Sequence, residues 1–177
     1  MFFLDLVKKR QSCRKYLPTP VAKEALERCL EAARLAPSAC NSQAWRFVVV
    51  ADPALKAQLA EKAFSGVYSM NSFAKAAPVL VAVVTEKLKF AAQAAGAMRG
   101  TQYNLIDIGI SCEHFILQAT EEGLGTCWLG WFDQKGVREA LGLSKKDSID
   151  IMISVGYPAD ESREKVRKEI KDTGEIR

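Results

Sequence analysis

A chain of 177 residues, 49% hydrophobic and 26% charged, carries enough apolar material for one full core and too much for long disorder. Its net charge of +4, from 25 Lys and Arg against 21 Asp and Glu, is too weak to argue for a nucleic-acid partner. No secretory leader or membrane span is read: the charges follow the opening apolar residues, and the longest apolar run, 76–84, contains Pro78 and is far too short for a bilayer, so a cytosolic (cytoplasmic) protein is expected.

Residues 4–10 predict a short helix. Pro18 and Pro20 make 12–20 extended, and Thr19 as N-cap with Pro20 behind it predicts a helix running to about Ala36. Leu26, Cys29, Leu30 and Ala33 share one face of that helix. Residues 37–44 read as a polar loop. The continuous run Trp45–Ala51 predicts a strand covered on both faces. Asp52-Pro53 caps a helix to about Phe64, and 66–75 reads as a loop followed by a helical turn. A second strand is expected over 78–85, then an alanine-rich stretch, 87–100, that is helical in part. The longest helix is expected at Tyr103–Glu122, with Leu105, Ile108, Cys112, Phe115 or Ile116, and Ala119 at helical spacing and Gly123 as its C-terminal cap. Thr126–Phe132 predicts a third strand, Asp133 caps a short helix to Leu141, and Ile149–Tyr157 predicts a fourth strand. The last twenty residues are charged and hold little core. Helices and strands therefore alternate as α-α-β-α-β-α-β-α-β, an α/β or α+β sheet packed by helices, with the long helix central.

Familiar catalytic constellations are missing. Cys13, Cys29, Cys40, Cys112 and Cys127 include no C-x-x-C pair, and His114 is the single histidine, which argues against a zinc site and for free thiols. There is no G-x-S-x-G elbow and no P-loop. Gly123–Gly130 is glycine-rich, yet it lacks G-x-G-x-x-G spacing and leads from a helix into a strand, the reverse of the dinucleotide fingerprint. His114 joins Asp107, Ser111 and Gln118 on a polar edge of the long helix and reads as structural or solvated; a Cys–His nucleophile has no supporting signature. Two basic clusters stand out: Lys8, Lys9, Arg10, Arg14 and Lys15, and Arg163, Lys165, Arg167, Lys168 and Lys171. On composition alone they are either solvated surface or the two halves of a phosphate site. The missing acid–base set fits chemistry carried by a cofactor, which the protein needs only to bind, orient and tune.

Four segments, in order, carry a resemblance. Arg10-Gln11-Ser12-Cys13-Arg14-Lys15-Tyr16 is similar to R-R-S-x-R-x-[FY]. Ala36-Pro37-Ser38-Ala39-Cys40-Asn41-Ser42-Gln43-Ala44-Trp45-Arg46-Phe47 is similar to A-P-S-x-x-N-x-Q-P-W-R-F. Gly123-Leu124-Gly125-Thr126-Cys127-Trp128-Leu129-Gly130 is similar to G-L-G-T-C-W-[IL]-G, and Ser154-Val155-Gly156-Tyr157-Pro158 precedes a basic tail. Together they resemble the nitroreductase family over nearly the whole chain.

The resemblance implies an α+β fold, a mixed and mostly antiparallel sheet packed by helices around a long central helix. It implies a single FMN-binding domain over 1–177 and a homodimer with two FMN sites at its interface. Arg10 and Ser12 are then expected on the phosphate, with Gln11 between them and Lys165 and Arg167 completing the cluster. Arg14 is expected at the N1–C2 carbonyl edge of the ring, where a cation favours the reduced anion. Pro37, Ser38 and Asn41 would reach the ring from the partner subunit, with Gln43 bracing their loop. Asn71 would hydrogen-bond the flavin, and Leu129 and Gly130 would present backbone near N5. NADH or NADPH would donate electrons to a small organic acceptor such as a nitroaromatic or a quinone. Dehalogenation on the same scaffold, or FMN binding without turnover, are the other functions such a fold could carry. The chain departs from the family pattern at Gln11, where arginine is common, at Ala44, where proline is common, and in its short insertions, which imply an open pocket.

Overall fold

The computed structural model describes residues 2–161 and 163–177. Six helices and four strands follow one another: α1 (Phe3–Lys9), α2 (Lys23–Arg34), β1 (Trp45–Val50), α3 (Pro53–Ala63), β2 (Val79–Thr85), α4 (Phe90–Arg99), α5 (Tyr103–Glu121), β3 (Gly125–Leu129), α6 (Gln134–Ala140) and β4 (Ser148–Gly156). Three 3-10 stretches are added at Ala39–Asn41, Gly66–Ala76 and Ile170–Asp172. The strands lie in the order β1-β2-β4-β3, and every pairing between them is antiparallel. The expected mixed character shrinks to one parallel bridge, Ser12 with Thr126.

Both faces of the sheet are covered, as the unbroken apolar strands require. On one face Phe47, Val49, Val81, Val83, Ile153 and Val155 pack against Leu26, Cys29 and Ala33 of α2 and Ile108, Cys112, Phe115 and Ala119 of α5. Phe47 and Phe115 stack there with centroids 5.6 Å apart. On the other face Val50, Leu80, Ala82, Val84, Leu129 and Met152 pack against Leu59 and Ala63 of α3 and Val137 of α6. A bulge keeps both faces apolar along β4. Val83 pairs with Ile151 and Val84 with Ile149, so Asp150 is the extra residue and Ile149 joins Met152 on the same side. The Asp150 carboxylate then accepts the Thr85 hydroxyl.

Local capping sets several boundaries. Asp52 accepts the Leu55 N–H at 2.8 Å with Pro53 behind it, and Asp133 accepts the Lys135 N–H at 3.0 Å. After α5, Gly123 (φ +76) donates to Thr120 O and Leu124 to Ala119 O, the paired bonds of a Schellman cap. Elsewhere the boundaries move. α2 begins at Lys23 with Ala22 as its cap, not at Thr19-Pro20, because Leu17 N–H is taken by Tyr157 O and the chain stays extended. The stretch 66–76 is 3-10 winding broken by a kink at Asn71 (φ −100°, ψ 17°). The alanine-rich segment forms a separate helix, α4, adding one helix to the expected order. The third strand ends at Leu129, three residues early, and Leu105 of α5 points out at 41% exposure where a core position was expected. Among the described residues no helix is long and apolar enough to cross a membrane.

Candidate functional site

The stretch after α1 is held against the rim of the sheet. Ser12 bridges Thr126, and Cys13 N–H donates to Thr126 O at 2.8 Å. Lys15 O accepts from Ala159 N–H at 3.0 Å, which ties the same stretch to the chain leaving β4. Tyr16 locks it from beneath: its hydroxyl donates to Cys13 O at 2.8 Å and meets the Ser154 hydroxyl at 2.8 Å. Burial pushes the Tyr16 phenol well above its ordinary range, so it stays neutral. Two glycines allow this close approach. A Cβ on Gly125 would sit 2.8 Å from Cys13 Cβ, and one on Gly156 would sit 2.5 Å from Pro78 Cδ.

Extended backbone alternates its side chains, so Arg10, Ser12 and Arg14 can share a side of this stretch. The tail beyond β4 supplies Arg163, Lys165 and Arg167 in the same alternation. The two are pinned together where Gln11 Oε1 accepts the Arg163 N–H at 3.0 Å and Lys165 Nζ donates to Val7 O. Arg10, Gln11, Ser12, Arg14, Arg163, Glu164, Lys165, Val166 and Arg167 line one recess of about 270 Å³. Five cations and one carboxylate, Glu164, line it, and Arg163 pairs with Asp160 at 3.6 Å. Burial first, then Arg10 and Arg167, hold the Lys165 ammonium below the usual lysine value. Arg14 stands 5.8 Å over the Phe73 ring. Behind them lies Cys127, whose thiol is raised by burial against the opposing fields of Arg14 and Arg10.

Asn71 lies on the 3-10 stretch that also carries Phe73. Its Nδ2 donates to Trp131 O at 2.9 Å, next to Leu129 and Gly130. Trp131 is fixed by its own Nε1–H, which reaches Val67 O at 2.9 Å, and by Tyr68, 5.3 Å away. Leu129 is buried, but Gly130 faces open space, with nothing within 4 Å of where its Cβ would be.

The loop carrying Pro37, Ser38, Asn41 and Gln43 stands apart; among the described residues no hydrogen bond joins it to the recess. Cys40, Asn41 and Gln43 all adopt positive φ, near +50°, and each such non-glycine costs roughly 1–3 kcal/mol. Local bonds offset that strain. Ser38 Oγ accepts the Gln43 N–H at 2.9 Å, and Gln43 Nε2 donates to Asn41 Oδ1 at 2.9 Å. The Asp107 carboxylate of α5 accepts the Ala39 N–H, with each oxygen 3.1 Å from it.

Arg10, Gln11, Ser12, Arg14, Lys165 and Arg167 thus line one recess, Asn71 is bonded to the backbone just beyond Leu129 and Gly130, and the Pro37–Gln43 loop forms a further locus. Sequence reasoning missed Phe73, Trp131 and Asp107. Arg163 lay within the noted basic cluster but without a role. Phe73 and Trp131 carry no pattern signal, and Asp107 was legible only as one member of a polar edge. The others on that edge are local: Ser111 Oγ donates to Ile108 O, Gln118 donates to Glu122, and His114 Nδ1 lies 3.2 Å from Ala32 O. All five cysteines are free, and burial lifts Cys29 and Cys112 to about 12, which makes them poor nucleophiles.

The nitroreductase family profile matches residues 7–157. A curated relative from Thermus thermophilus, an NADH dehydrogenase, is 33% identical, over 86% of this chain and 85% of its own. An FMN-dependent nitroreductase structure from Clostridium difficile R20291 aligns with a TM-score of 0.74 at 28% identity, covering 96% of each chain. A structure from Exiguobacterium sibiricum 255-15, solved in complex with FMN, aligns with a TM-score of 0.81 at 25% identity, covering 100% of this chain and 98% of the other. With its sheet order, its basic recess and a profile match over most of its length, the chain belongs to the nitroreductase family.

Proposed function

We propose that the chain is one FMN-binding unit that passes electrons from NADH or NADPH to a small organic acceptor such as a nitroaromatic or a quinone, and that it works as a homodimer. The observation that carries this reading is the recess in which Arg10, Arg14, Lys165 and Arg167 converge around Ser12. Such a donor set fits a phosphate dianion. Arg offers a bidentate fork, Lys a point charge and Ser a hydroxyl. Bound FMN supplies the two-electron exchange between nicotinamide and acceptor.

The chain's own part is binding, orientation and tuning. Arg14, anchored on Phe73, holds a fixed positive charge beside the recess, where it favours an anionic reduced ring. The Asn71 amide and the open backbone of Gly130 would offer polar groups to the flavin ring. No side chain is required to move a proton, because water at an open site can supply it. The loop with Pro37, Ser38 and Asn41, braced by Gln43, serves the partner's ring. Apolar surface supports that second copy. A groove of about 420 Å³ is lined by Phe3, Leu6, Ala32, Leu35 and Leu117 together with the polar His114, Gln118 and Glu121, and Phe3 is 66% exposed.

Titration with FMN and with riboflavin, which lacks the phosphate, tests the reading. FMN is expected to bind at least about a hundredfold more tightly, the worth of two charge-assisted hydrogen bonds. Equal affinity would remove the recess from the account.

A further inference from the structure

Asp107 is 3% exposed, a buried carboxylate on a helix whose neighbouring buried positions are Ile108, Ser111 and Cys112. Taking a charge out of water is costly unless it is hydrogen-bonded, and packing of α5 against the sheet gives no reason for one here. Among the described residues its hydrogen-bond partner is a backbone donor 68 residues away, the Ala39 N–H, which both oxygens approach to 3.1 Å. That donor opens the turn in which Cys40, Asn41 and Gln43 hold positive φ. The turn is also clasped from outside: Ser42 Oγ donates to Ala39 O at 2.6 Å and accepts the Lys89 N–H, at the start of α4, at 3.2 Å. Gln43 Nε2 donates to Asn41 Oδ1, and among the described residues the Asn41 amide donors and the Gln43 side-chain carbonyl remain for an outside partner.

We infer that Asp107 is a positioning residue for flavin: it holds the Ser38–Gln43 turn in a conformation the turn's own residues disfavour, and so presents Ser38 and Asn41 to the ring. This rests on the functional reading above, in which that turn serves the partner's FMN. The phosphate recess is held by other bonds, so the two contributions to FMN affinity separate. Asp107 governs the ring and leaves the phosphate alone.

The test measures FMN affinity by flavin fluorescence and inorganic phosphate affinity by calorimetry on the whole protein. Asp107→Ala is expected to weaken FMN by at least about tenfold and to leave phosphate within about twofold, since a hydrogen bond to a charged group carries that much. Asp107→Asn keeps an acceptor oxygen for Ala39 and is expected to recover FMN affinity to within about threefold of the native protein. If Asp107→Ala does not fold, Ala39→Pro removes the same bond from the loop side. Ser38, at φ −149° and ψ 157°, already has the extended conformation that a following proline requires. Ala39→Pro must then show the same selective loss. FMN bound as in the native protein by either disrupting variant overturns the proposal, as does an equal loss of FMN and phosphate. A native protein that binds phosphate but no FMN overturns the functional reading and this proposal with it. Native FMN binding with unchanged variants overturns the positioning role alone.

Discussion

In the recess, Arg10 and Lys165 are half-buried and Arg14 and Arg167 exposed, all on two extended segments whose backbone pairing fixes their spacing. In the Pro37–Gln43 loop the polar groups are fewer and uncharged, the backbone is strained at three residues, and a buried carboxylate holds the turn from inside. The recess stores charge that water and salt can screen, whereas the loop stores shape that they cannot. A phosphate asks chiefly for charge and a flat ring chiefly for shape, so one ligand can use both.

The comparison breaks first at Arg10. Arg10→Ala is expected to weaken FMN by roughly a hundredfold, about 2.7 kcal/mol, through loss of a forked contact to a dianion. Riboflavin affinity should hardly change; if both fall together, the recess and the ring are not separate loci. The next test is structural. Gly156→Ala puts a Cβ 2.5 Å from Pro78 Cδ and 3.0 Å from the Tyr16 ring, and should cost about 2 kcal/mol of stability through overpacking. Its denaturant midpoint should fall, and FMN affinity with it, because Tyr16 locks the Arg10–Arg14 stretch. Arg14→Ala is expected to lower the flavin reduction potential by about 30 mV, near 1.4 kcal/mol for a two-electron couple. It should weaken FMN binding less than Arg10→Ala does, and an unchanged potential would remove Arg14 from the ring edge.

The smallest expected effect is one of pH. Lys165 titrates below its ordinary value in the free protein, and a bound phosphate would raise it again, so binding carries proton uptake. FMN affinity should therefore fall several-fold as pH rises through the depressed Lys165 value, and stay level at pH well below it. Lys165→Arg should abolish that slope.

Much of the scaffold was legible because its signals are local. Asp52 and Asp133 announce helix starts through their side-chain caps and Gly123 a helix end through its backbone, and the apolar run of β2 is a fully covered strand, whereas β1 is half-buried with only Val50 enclosed. The misread start of α2 shows the limit. Thr19-Pro20 is a sound helix start until the bond from Leu17 N–H to Tyr157 O holds the chain extended. β3 stops at Leu129, and the chain beyond it is engaged by Asn71 and Val67 through Trp131. The cations of the recess were visible as two clusters, but their meeting depends on Gln11 and Arg163 pairing across 152 residues. Asp107 was least legible of all, because its partner is a backbone N–H, which no side-chain pattern records.

The most direct test of the account is the visible spectrum of the purified protein supplied with FMN, recorded without air before and after NADH or NADPH is added. The account predicts a bound flavin spectrum that bleaches on addition and returns when a quinone is admitted. A protein that stays colourless after FMN is supplied and dialysed, or whose bound flavin is untouched by both nicotinamides, would contradict it.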